Sequence, residues 1–113
     1  MSLMPQVLLV LTNVPNEEVA EQLARQIVER RLAACVNILP AIRSVYRWED
    51  QVEATQEVAI HIKTIAARYA ELEATIKEMH PYAVPEIIAV PITDGLPAYL
   101  DWITRETSKE RNV

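Results

Sequence analysis

One thiol, two imidazoles and a few charged groups set inside apolar stretches are the parts of this chain that could do chemistry. Cys35 follows Leu32-Ala33-Ala34 and is the single cysteine. As a thiolate it would be a soft ligand for copper or zinc. As a thiol it would be a small buried packing residue, the commoner fate of a free cysteine. His80 opens the segment His80-Pro81-Tyr82-Ala83-Val84-Pro85-Glu86. Its imidazole suits copper or zinc, and equally suits capping the last carbonyls of a preceding helix. Cys35 and His80 are therefore the candidate metal ligands. His61, beside Lys63, reads as a packed strand residue. No Cys-x-x-Cys or His-x-x-x-His pair occurs, so spacing within one chain does not by itself build a metal site.

Glu57, Lys63 and Glu86 are charges placed within apolar strands. They read either as ion pairs between strands or subunits, or as the polar groups of a cleft. Tyr82, Tyr99 and Trp102 could wall that cleft or serve as packing. An acid–base role for His80 with Glu57 or Glu86 lacks a nucleophile–base arrangement, so the expected function is not enzymatic. The only glycine is Gly95, so no glycine-rich loop exists to cradle phosphates.

The elements that position these groups follow from the pattern of the chain. It has 113 residues, half of them hydrophobic, which suits one domain over residues 1–113. Met4 offers an alternative start, with residues 1–3 then foreign to the natural chain. Sixteen acidic residues against eleven basic give a net charge of −5, and the pI is near 5.0. That balance argues against nucleic acid as a partner, and against an anionic membrane. No apolar run approaches the roughly 20 residues of a membrane span. The start lacks the regions of a signal peptide, and one cysteine allows no internal disulfide, so a cytoplasmic location is expected.

Val7 to Leu11 is a continuous apolar run, expected as a central strand. Asn16 before Glu17 and Glu18 is an N-cap signal, and Val19, Leu23, Ile27 and Val28 carry a helix to about Arg31. Residues 33–48 read as a long strand with Val36, Ile38, Pro40, Ile42, Tyr46 and Trp48 on one face. Residues 52–64 are its hairpin partner, with Val58, Ile60 and Ile62 on one face. Ile65, Tyr69, Leu72, Ile76 and Met79 step as an amphipathic helix. The prolines at 81 and 85 end it, Glu86 to Ile92 is the last strand, and Pro97 starts a closing helix. The order β-α-β-β-α-β plus a C-terminal helix predicts an α+β fold of ferredoxin-like topology with an antiparallel sheet.

The hairpin register can be argued from pairing. A two-residue loop, Glu49-Asp50, would set Tyr46 opposite Glu53 and Ile42 opposite Glu57. A three-residue loop, Glu49 to Gln51, sets Tyr46 opposite Ala54, Ile42 opposite Val58 and Ile38 opposite Ile62. It also pairs Arg47 with Glu53 and Arg43 with Glu57. Complementarity favours the three-residue loop, with a bulge near Pro40 able to shift the lower half. Lys63 then lies diagonally across from Cys35. Twelve or more residues per strand reach roughly 40 Å, against a diameter of roughly 35 Å for a compact domain of this length. The tip, with Tyr46, Trp48 and Val52, should therefore pass the edge of its own domain. An exposed apolar tip is best covered by a neighbouring subunit.

The run Leu32 to Asp50 (LAACVNILPAIRSVYRWED), the strand from Glu57 to Ile62-Lys63-Thr64, the segment His80 to Glu86 (HPYAVPE) and Tyr99-Leu100-Asp101-Trp102 resemble the CutA divalent-cation tolerance family over nearly the whole chain. One departure is Asp50, where that family usually has glycine after the tryptophan. Asp tolerates left-handed backbone better than most residues, so the turn should survive. The resemblance implies a homotrimer with extended hairpins exchanged between neighbours, similar to PII-type signalling trimers. It implies a part in the response to metal ions, with copper or another divalent cation bound and no obligatory cofactor. The alternative is a PII-like signalling or adaptor trimer that binds a small molecule in clefts between subunits.

Overall fold

The computed structural model describes residues 5–109; the question of an alternative start at Met4 lies outside them. In order, the elements are β1 (Val7–Val14), α1 (Glu17–Glu29), β2 (Cys35–Trp48), β3 (Gln51–Ile65), α2 (Ala66–Met79), β4 (Ile88–Pro91) and α3 (Pro97–Glu106). They form one sheet of order β2-β3-β1-β4, antiparallel at every pairing. The expected element order and α+β class are those observed.

Local chemistry sets the helix ends. Asn16 accepts from the Val19 amide at 2.9 Å, and Glu17 and Glu18 lie in the positive first turn of α1. At the other end, Arg68 is buried and donates to the carbonyls of Arg30 and Arg31. That satisfies acceptors a helix terminus leaves open. α1 and α2 cover one face of the sheet. Val10, Val14, Ile60 and Ile62 meet Leu23, Ile27, Leu72 and Ile76 there, all fully buried. α3 closes one end of the opposite face, where Ile103 packs with Val7, Ala34 and Ile65.

The hairpin departs from the expected register. Its loop has two residues, with Trp48 opposite Gln51, Tyr46 opposite Glu53 and Ile42 opposite Glu57. Glu49 and Asp50 have φ of 48° and 64°, the left-handed pair of a tight turn whose twist matches that of the strands. The turn thus forms without glycine. Turn geometry overrides cross-strand charge pairing, so Arg47 meets Val52 and Arg43 meets Gln56. Below, the register shifts between Leu39 and Ile42. Two residues, Pro40 and Ala41, then face one, and Ala41 takes φ of 61°. This is a bulge, and a proline without an N–H is at home in it. Ile38 consequently pairs with Ile60 rather than Ile62, and Cys35 faces Lys63 directly rather than diagonally.

The bulge also splits the expected apolar face of β2. Val36 and Ile38 pack toward the helices. Ile42, Tyr46 and Trp48 turn to the other side, with Thr55 and Glu57. The molecule measures 49 × 28 × 22 Å, and the long axis reflects a hairpin that outruns the helices.

Candidate functional site

The segment from His80 to Glu86 wraps the end of β1 and builds a cleft against the projecting hairpin. His80 is the pin. Its Nε2 donates to the Asn13 carbonyl at 2.7 Å, and its Nδ1 accepts from the Tyr82 amide at 3.1 Å. The carbonyl can only accept and the amide can only donate, so the ring proton sits on Nε2. His80 is 7% exposed, and its ring lies 4.7 Å, centroid to centroid, from that of Tyr82. Asn13 holds the far end of the segment, its Nδ2 donating to Glu86 at 3.2 Å.

The cleft holds about 740 Å³. Asn13, Ser44, Tyr46, Trp48, Thr55, Glu57, Tyr82 and Glu86 contribute side chains to its walls. Glu57 is 7% exposed, and the Tyr82 hydroxyl donates to its Oε2 at 2.9 Å. Tyr46 and Thr55 share a hydroxyl hydrogen bond at 2.9 Å. Among the described residues no basic residue lines the cleft. Burial first, then the hydrogen bond to Glu57 and its charge, with a smaller contribution from Tyr46, push the Tyr82 phenol up to about 12.

Of the residues expected to form a cleft, Glu57, Tyr82 and Glu86 come together here. Lys63, Tyr99 and Trp102 lie elsewhere. Lys63 is six residues from Glu57 along β3, roughly 20 Å at the usual strand rise, and its ammonium donates to Asn37. Tyr99 and Trp102 stack on each other at 5.6 Å on α3, at the other end of the sheet. Tyr46 and Trp48, expected only at an interface, also wall the cleft. Val52 stands exposed on the hairpin. Asn13, Ser44 and Thr55 were not singled out from sequence. Small polar residues in strands carry no signal until the register is known.

The structure does not bring Cys35 and His80 together. Cys35 is cross-strand to Lys63, which pairs with Leu9, while His80 holds Asn13. Along β1 alone that is roughly 13 Å. Both ring nitrogens of His80 are taken by backbone, so it could ligate a metal only by releasing one. Among the described residues no group of three or more His, Cys, Asp or Glu could hold a metal ion. Within one chain, these residues do not fit a metal centre. Cys35 is half-buried and free, on the sheet face that α1 and α2 leave open.

The sequence of this domain of ferredoxin-like topology matches one family over most of its length. Residues 8–106 fit the model of the CutA1 divalent ion tolerance proteins, and the chain belongs to that family. It is 48% identical over 98 residues to the divalent-cation tolerance protein CutA of Thermus thermophilus, covering 87% of this chain and 95% of that one. It is 44% identical to protein CutA of Mus musculus, but spans only 55% of that longer chain. The crystal structure of CutA1 from Oryza sativa superposes with a TM-score of 0.91 at 40% identity, covering 96% of this chain and all of the other. Among the described residues no helix is long and apolar enough to cross a membrane.

Proposed function

We propose that this chain is one subunit of a homotrimer that takes part in the response to divalent cations, with copper or a similar ion held between subunits. The observation that carries this reading is the open sheet face and its continuation into the projecting hairpin. Leu9 and Leu11 are only half-buried on that face, and Ile88 and Val90 are exposed beside them. Tyr46 and Trp48 extend the apolar surface along the hairpin, and Val52 stands exposed on its other face. Apolar surface on this scale marks an interaction site, and a ring of identical copies covers it by one repeated contact. Three is the number that the family resemblance implies. Cys35 stands on the same open face, so assembly would gather thiols that one chain lacks. The role is non-enzymatic, with no obligatory cofactor, and the location cytoplasmic.

Sedimentation equilibrium tests the assembly. The reading predicts a mass of three times 12.8 kDa, about 38 kDa. A mass near that of one chain at micromolar concentration would refute it. A second reading, a PII-like signalling trimer, is favoured by the cleft itself. Its volume falls within the range of small-molecule sites, and thermal stabilisation by a metabolite would support it.

A further inference from the structure

The two faces of the projecting hairpin differ in charge. On one, Tyr46, Trp48, Glu53, Thr55 and Glu57 alternate with the other face by strand pleat. This face carries only acidic charge and opens into the cleft beside Glu86. On the other stand Arg43 and Arg47, with Val45, Val52, Ala54 and Gln56. It carries only basic charge. Val45 and Val52 are 70% and 68% exposed. Arg43 and Arg47 are exposed, and among the described residues neither side chain has a hydrogen bond or ion pair.

Glu57 is the complementary oddity. It is a carboxylate more than nine-tenths buried, and among the described residues the one hydrogen-bond partner of its side chain is a neutral phenol. A buried charge without an opposite charge is costly, and the cleft beside it is walled by Tyr46, Trp48 and Tyr82. Aromatic faces and carboxylates together are the surroundings a guanidinium prefers.

We infer that the cleft is completed by a second copy of this chain, which inserts an arginine from the Arg43–Arg47 face of its hairpin against Glu57 and the aromatic walls. The inference rests on the assembly reading and adds its contact chemistry. Basic face to acidic face is a head-to-tail contact, and each subunit gives one arginine and receives another. Such a contact repeats around a ring. It also explains why turn geometry can leave Arg43 and Arg47 without cross-strand acids: their acids lie on the neighbour.

A double-mutant cycle on the association constant, measured by sedimentation across concentration, tests this. Among the described residues the side chains of Arg43 and Arg47 make no hydrogen bond or ion pair, so changing both to Gln should leave the subunit fold intact. Glu57→Gln keeps an acceptor for Tyr82. Removing both arginines is expected to weaken association by about tenfold or more, and by less than about twofold in the Glu57→Gln background. An assembly insensitive to the arginines, or an equal loss in both backgrounds, would overturn the inference while leaving the assembly reading in place. A wild-type chain that stays single at all concentrations would remove both.

Discussion

The Tyr82 hydroxyl stands 2.9 Å from Oε2 of Glu57 and joins the segment after α2 to β3 across the cleft. The contact makes the phenol reluctant to ionise, first through burial and then through the carboxylate it faces. The folded-state value near 12 lies above the ordinary 10. Between these values the unfolded chain has released the proton and the folded chain has kept it. Stability is therefore full below pH 10 and falls as pH rises toward 12. Phenolate absorbance should show a tyrosine titrating near 12, lost in Tyr82→Phe. The same variant should flatten the alkaline decline in stability. An unchanged titration in Tyr82→Phe would contradict the assignment.

His80 acts on the same contact from behind. Replacing it with Ala removes the side-chain bonds to the Asn13 carbonyl and the Tyr82 amide at a partly buried site. Each such loss costs about 1–3 kcal/mol, so the urea midpoint should fall clearly. The segment would also loosen, and the late tyrosine titration should move down toward the ordinary range. A variant of wild-type stability with Tyr82 still titrating near 12 would show that His80 does not pin the cleft.

Thr12 offers the opposite sign. It is fully buried under the helices, and among the described residues its hydroxyl finds no hydrogen-bond partner. Valine has nearly the same shape and no polar atom to desolvate. Thr12→Val should stabilise the chain by about 1 kcal/mol, read as a higher denaturant midpoint with an unchanged slope. A lower midpoint would mean that the hydroxyl is satisfied after all.

Much of the fold was legible because its signals are local. Asn16 announces the start of α1, Pro97 that of α3, and the apolar steps of β1 and α2 survive with small shifts at their ends. The hairpin register was not legible. Pairing Arg47 with Glu53 and Arg43 with Glu57 maximises complementarity within one chain, whereas the turn at Glu49 and Asp50 obeys strand twist. The bulge at Pro40 and Ala41 then flips the face of everything beyond it. For the same reason Glu57, Tyr82 and Glu86 could be named as cleft residues while Lys63 could not be excluded. A strand shows which residues alternate, but not which of them stand at the same height as a distant loop. Cys35 and His80 are chemically apt as a pair, and only the fold shows them on separate features.

The most direct test of the central claim is a copper titration against a competing chelator, on reduced protein whose subunit number has been fixed by sedimentation. The account predicts saturable binding in the sub-micromolar range, at one or three ions per three chains, lost in Cys35→Ser while assembly persists. Weak, non-saturating binding, or full binding without the thiol, would contradict it.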